Sequence, residues 1–282
     1  LHHYPSLDAI VGAEVYVKHE NHQALGAFKM RGALNMVSQL TEEEGRRGVI
    51  AASTGNFGQG IAYAARAFGV QANVVVPVEA NPGKVESMQR LGANVIFHGK
   101  VFDDSLAYAE RLAKEEGHRF IHSANEPALL SGVGTYTLEI IEDLPDVDVI
   151  IVPVGGGSGA CGACIAAKSI NPDIQVIGAG SAQAPAVYLS WKEGHVVEAP
   201  MESVAATLAT GSGYELPTAI LRDMLDDFIL VDDEALEQAI VLNLEKTHNL
   251  TEHAGASSLA AALKIKDRLR GKKVALVMSG GN

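Results

Sequence analysis

The run Val154-Gly155-Gly156-Gly157-Ser158-Gly159 offers the chemistry that is easiest to name from residue types alone. It follows an apolar stretch, Val149–Val154, and opens a helical pattern of small residues. Successive residues without Cβ let backbone N–H groups converge on one anion, and a helix start adds positive partial charge. A phosphate is the expected ligand. The same stretch also satisfies G-x-G-x-x-G through Gly157, Gly159 and Gly162, the dinucleotide fingerprint. That fingerprint needs a carboxylate about 20 positions on. Here the next apolar run, Gln175–Ala179, passes into Gly180 and Ser181 instead. A nicotinamide-dependent oxidoreductase is therefore set aside, while the phosphate site stands. Cys161 and Cys164 form a C-x-x-C without a second pair, among Ala and Gly. Buried helix positions explain them better than zinc or a redox couple.

Three further clusters carry reactive or polar groups. They are Gly26-Ala27-Phe28-Lys29-Met30-Arg31, Ser53-Thr54-Gly55-Asn56-Phe57-Gly58-Gln59-Gly60, and the terminal Ser279-Gly280-Gly281-Asn282. A lysine amine adds to an aldehyde only when neutral, so its surroundings must lower a pKa of about 10.4 by desolvation or a cationic neighbour. Once freed, such an amine is a base for a nearby C–H proton. Alone, each cluster has an ordinary explanation. A lysine at a helix start is commonly solvated, and Ser-Thr-Gly-Asn is commonly a capped turn.

The elements that must position these groups alternate along the chain. Apolar β-rich runs occur at Glu14–His19, Val49–Ala52, Ala72–Val76, Asn94–Phe97, Val149–Val154, Gln175–Ala179, Phe228–Val231 and Lys273–Met278. Helical patterns lie between them, at Met30–Leu40, Gly58–Phe68, Gly83–Leu91, Asp103–Glu116, Thr135–Leu144, Asp233–His248 and Ser257–Leu269. Such alternation predicts α/β architecture with parallel sheets. At 282 residues the chain is long enough for two domains. The net charge of −12 excludes a duplex-binding or anionic-membrane surface, which needs cations. The uncharged stretch from Val149 to Ala167 approaches a membrane span in length, but Pro153 and five glycines divide it into strand, loop and helix. Two cysteines in the whole chain point to a reducing, cytoplasmic setting.

Taken together and in order, these clusters resemble the fold-type II pyridoxal-phosphate enzymes, in the threonine/serine dehydratase and serine racemase branch. The resemblance covers nearly the whole chain. It implies a tryptophan synthase β-like fold of two open parallel-sheet domains with flanking helices, the cofactor lying in the interdomain cleft. Residues 1–44 and 131–282 would form the large domain and 45–130 the small one. Lys29 would hold pyridoxal 5'-phosphate as a Schiff base, with Phe28 against one ring face and Gly213 at the other. Asn56 would bond the ring hydroxyl, and Gly155, Gly156, Gly157 and Ser158 would cradle the phosphate. Ser279 would face the pyridine nitrogen, and Glu252 would lie close to the ring. Ser53, Thr54, Gly55 and Asn56 would receive the substrate carboxylate.

The activity so implied is β-elimination of water from a small 3-hydroxy amino acid such as threonine or serine, giving a 2-oxo acid and ammonia. Lys29 would be the base. Thr54 keeps a hydroxyl where the racemases of the family carry a second proton carrier, so racemisation is the alternative activity. A non-catalytic protein that binds the cofactor or an amino acid is the other alternative. Many members carry Glu and Asp at the positions of Gly180 and Ala186, where they help hold a divalent cation; no metal is expected here. The expected partners are a small amino acid and further copies of the chain, as a homodimer or higher homo-oligomer, with neither nucleic acid nor membrane. The chain starts at Leu1 rather than Met, and family members generally continue past the position of Asn282, so further residues at either end are expected.

Overall fold

In the computed structural model, which describes all 282 residues, ten strands divide between two sheets. The chain begins with β1 (His2–His3), α1 (Pro5–Val11) and β2 (Glu14–His19). Next come α2 (Lys29–Ser38), α3 (Glu42–Arg47), β3 (Val49–Ala52), α4 (Asn56–Phe68), β4 (Ala72–Val76), α5 (Pro82–Arg90), β5 (Asn94–Phe97), α6 (Phe102–Glu116), β6 (Arg119–Phe120) and α7 (Pro127–Asp143). It continues with β7 (Val149–Pro153), α8 (Ser158–Ile170), β8 (Gln175–Ser181), α9 (Ala186–Glu193), α10 (Glu215–Met224), β9 (Asp227–Val231), α11 (Asp233–Thr247), α12 (His253–Lys264), α13 (Lys266–Leu269) and β10 (Lys273–Met278).

Contacts group the chain into two units, Leu1–Phe28 with Val133–Asn282, and Lys29–Gly132. The expected small domain was 45–130, so the two divisions differ at 131–132 and over 29–44. That segment carries α2, which packs on α4: a Cβ at Gly60 would lie 3.2 Å from the Lys29 carbonyl oxygen and 3.3 Å from the Ala33 Cβ.

The first unit holds a sheet in the order β1-β2-β10-β7-β8-β9, parallel except for the β1–β2 pair. Val149–Val152 of β7 are all buried, the continuous apolar run of a strand covered on both faces. Helix α12 covers one face with small residues. Ala256, Ala260, Ala261 and Ala262 are buried, and Ser258 Oγ donates to the Val277 carbonyl at 3.0 Å. The second unit holds the parallel order β5-β4-β3-β6. Its core packs Ile50, Ala52 and Val75 against Ala109, Leu112 and Ala113 of α6.

The expected α/β class with two parallel sheets holds. The helix expected to run continuously over 257–269 is broken at Ile265, which has φ −112° and ψ 18°. No helix is long and apolar enough to cross a membrane.

Candidate active site

In the first unit the chain leaves β7 through a loop that only glycine can form. A Cβ at Gly155 would lie 2.3 Å from the Thr207 carbonyl oxygen. Gly157 caps α8 with φ +93°, a conformation costly for any side chain, and a Cβ there would lie 2.9 Å from Pro217 Cβ. Ser158, buried, is the first residue of α8. The backbone of this loop is bare at a helix N-terminus, which is what a phosphate requires.

Phe28, Glu252 and Ser279 are linked to this loop through a chain of contacts. Gly159 packs at the Phe28 ring: a Cβ there would lie 3.4 Å from it, in van der Waals contact. Tyr136 OH donates to the Gly159 carbonyl at 2.7 Å, and its ring meets Phe28 edge-on with centroids 6.2 Å apart. The Phe28 N–H donates to the Ser279 carbonyl at 3.0 Å, and Ala27 bridges Gly280. These bonds seat Phe28 at the end of β10. The Glu252 N–H donates to the Gly280 carbonyl at 3.1 Å, and its Oε2 accepts from Thr207 Oγ1 at 3.2 Å. Thr207 therefore faces Gly155 with its carbonyl and Glu252 with its hydroxyl. Gly213 stands apart from this chain of contacts. The atoms nearest its Cβ position belong to Ser190 and Thr218, with Ser190 Oγ at 2.3 Å.

In the second unit Lys29 is the first residue of α2. Protein packed around the amine desolvates it and lowers its pKa to about 8. Its Nζ lies over the Phe57 ring, 5.8 Å from the centroid. At pH 7 a pKa of 8 leaves about a tenth of the amines neutral, some 300-fold more than a solvated lysine provides. The loop expected to bind a carboxylate opens α4. Ser53 Oγ accepts from the N–H groups of Gly55 (3.2 Å) and Gly58 (2.9 Å), doing the capping that Gly55 cannot. Thr54 is exposed, and nothing lies within 4 Å of the Gly55 Cβ position. Asn56 is 7% exposed, and its Oδ1 accepts from Lys84 Nζ at 3.0 Å.

Lys84 and His122 were not legible as site neighbours. His122 Nδ1 accepts from the N–H groups of Ala124 and Asn125, both at 3.0 Å, which makes it a turn-former. Its pKa is lowered, chiefly by desolvation. Lys84 lies in the first turn of α5, where the helix dipole disfavours a cation, and that misplacement is the one signal a sequence offers. Cys161 and Cys164 are buried free thiols; burial pushes Cys164 up to about 12 and raises Cys161 as well, so neither is a nucleophile. No group of three or more His, Cys, Asp or Glu side chains is arranged to hold a metal ion.

Two features fit pyridoxal phosphate: an amine neutral enough to add to its aldehyde, and a bare glycine loop for its phosphate. Known proteins agree with that fit. The chain is 41% identical over 277 residues to the L-threonine ammonia-lyase of Thermotoga maritima, covering 98% of this chain and 69% of that protein. It is 37% identical over 275 residues to the catabolic L-threonine dehydratase of Escherichia coli, covering 95% of this chain and 83% of that protein. Its fold superposes on serine racemase from Dictyostelium discoideum with a TM-score of 0.94 at 34% identity, covering 100% of this chain and 91% of that one. Against threonine deaminase isoform 2 from Solanum lycopersicum the TM-score is 0.96 at 31% identity, covering 100% of this chain and 83% of that one. The family described as pyridoxal-phosphate dependent enzymes matches residues 1–280. A desolvated lysine, a glycine loop at a helix start and a match over nearly every residue thus converge: the chain belongs to the pyridoxal-phosphate dependent enzymes, with pyridoxal phosphate as its cofactor.

Proposed function

We propose that the protein is an ammonia-lyase that removes water from a small 3-hydroxy amino acid, threonine first and serine second, yielding a 2-oxo acid and ammonia. The observation that carries this reading is the buried Lys29 amine at the start of α2, which desolvation holds below the usual lysine range. The threonine ammonia-lyase and threonine dehydratase named above support the choice of substrate.

Pyridoxal phosphate, when bound, supplies an electron sink for negative charge at the substrate Cα. Lys29 holds it, and the backbone of Gly155, Gly156, Gly157 and Ser158 binds its phosphate. Phe28 and Gly213 would bear on its two ring faces, Asn56 on its ring hydroxyl, Glu252 on its rim and Ser279 on its pyridine nitrogen. A neutral hydroxyl at Ser279, where a carboxylate would draw a proton to that nitrogen, favours prompt loss of a β-substituent over longer-lived carbanion chemistry. The amine of Lys29, neutral in a useful fraction at pH 7, takes the Cα proton. Ser53, Thr54, Gly55 and Asn56 orient the substrate carboxylate at the start of α4, where the helix end favours an anion.

Racemisation is a second reading, favoured by one observation: Thr54 presents an exposed hydroxyl. Lys29 would reach the substrate Cα from one side, and inversion needs a proton carrier on the other. Elimination would follow the same loss of the Cα proton, so inversion is the minor outcome. The protein works in the cytoplasm as a homodimer or higher homo-oligomer. Purified protein loaded with pyridoxal phosphate and offered threonine, serine and bulkier 3-hydroxy amino acids should release 2-oxo acid and ammonia in equal amounts from at least one. Binding of these amino acids with no 2-oxo acid from any of them would overturn the reading in favour of a non-catalytic binding protein.

A further inference from the structure

We propose that Lys84 is a positioning residue for Asn56, fixing its amide so that the nitrogen, not the oxygen, is offered to the ring hydroxyl of the cofactor. The inference rests on the cofactor reading above and adds a residue to it. The two ends of an asparagine amide have nearly the same shape, so a half-turn exchanges donor for acceptor. An ammonium group has donors only. With Lys84 Nζ 3.0 Å from Asn56 Oδ1, the exchanged orientation would set N–H against N–H, and the amide is locked. The ionised ring hydroxyl of pyridoxal phosphate accepts hydrogen bonds, so the locked orientation is the productive one. The charge of Lys84 acts in the same direction, since it polarises the amide N–H and favours the ionised hydroxyl.

The helices hold this pair in register. One turn along, Ser87 Oγ donates to Gln59 Oε1 at 2.9 Å, so residues 84 and 87 of α5 form two parallel rungs with 56 and 59 of α4. Gly58 lies between the rungs, and a Cβ there would sit 2.7 Å from Met88 Sδ. Its bareness sets the approach of α5. Asn81 Oδ1 accepts from the N–H groups of Gly83 (2.9 Å) and Lys84 (3.3 Å), which anchors the turn that carries the lysine. A cation in the first turn of a helix works against the dipole. Reaching Asn56 supplies a reason for it to be there.

The test compares Lys84→Gln, Lys84→Arg, Asn56→Ala and the double variant Asn56→Ala/Lys84→Gln with the parent protein, using pyridoxal phosphate as the probe. Cofactor dissociation constants and the ratio of violet to near-ultraviolet absorbance of bound cofactor are read across pH. Glutamine can accept as well as donate, so it releases the lock. Lys84→Gln should weaken cofactor binding by about tenfold and lower the violet fraction, and Lys84→Arg should restore most of both. On the Asn56→Ala background, Lys84→Gln should change binding by less than about twofold, because the partner it acts through is gone. Parent-like binding and spectrum in Lys84→Gln, or full additivity in the double variant, would overturn the role of Lys84 alone. A parent protein that takes up no cofactor would overturn the underlying reading instead.

Discussion

Replacing Gly155 by alanine tests the glycine loop more sharply than removing any side chain. The added methyl would sit 2.3 Å from the Thr207 carbonyl oxygen, against an ordinary C···O contact of about 3.4 Å, so roughly 1 Å must be absorbed. Both partners are backbone, and neither can swing away as a side chain would. Overpacking of this kind costs about 1–3 kcal/mol, or on the order of 2–5 °C in melting temperature for a chain of this size. If Thr207 retreats instead, its hydroxyl leaves Glu252 Oε2, now 3.2 Å away, and the rim of the site loosens with the loop. Either route should weaken pyridoxal phosphate binding by at least about tenfold. The assay is a melting curve of cofactor-free protein followed by a cofactor titration. Gly45→Ala is the control, since its methyl meets only Val70 Cγ2 at 4.0 Å on α3 and should leave cofactor affinity unchanged. Parent-like melting and affinity in Gly155→Ala would refute the claim that this close approach shapes the loop.

Four other outcomes are expected. The rate of cofactor uptake should rise about tenfold per pH unit up to about 8 and then level off, because only neutral Lys29 adds to the aldehyde. The sign for stability follows from the same depressed value. The unfolded chain binds more protons between about 8 and 10.4, so the cofactor-free protein should gain stability as pH rises through that window, measured by denaturant titration. Thr54→Ala should lower Cα inversion more than elimination, read by deuterium exchange with chiral analysis; inversion unchanged while elimination collapses would make Thr54 a substrate-binding residue only. Cys161 and Cys164 should resist a thiol reagent until the protein unfolds, because both are buried with raised pKa values.

Much of the sheet framework was readable because buried parallel strands are apolar runs bounded by turns. The spans Glu14–His19, Val49–Ala52, Ala72–Val76, Asn94–Phe97 and Lys273–Met278 are those the sequence analysis expects. Helix α3, Glu42–Arg47, has no apolar stripe to read; its support is the Thr41/Glu44 capping box and the Arg46–Glu42 and Arg47–Glu43 pairs. Strands β1 and β6, two residues each, are too short to carry a period. The break at Ile265 is set by the tight turn in which the Arg268 N–H reaches the Ile265 carbonyl at 2.8 Å, so composition does not mark it. Lys29, Phe28, Asn56 and the glycine loop are candidates from sequence because their chemistry is tied to local motifs. The contacts of Thr207 with Gly155 and of Lys84 with Asn56 join residues 52 and 28 positions apart in sequence. No local pattern announces such pairs.

Whether Lys29 carries the cofactor can be read from a covalent label. Protein loaded with pyridoxal phosphate, reduced with borohydride to fix the cofactor to whichever lysine holds it, then digested and analysed by mass spectrometry, tests this directly. The added pyridoxyl mass should appear on the peptide containing Lys29 and be lost in Lys29→Ala. A label on another lysine, or none on protein that binds the cofactor, would contradict it.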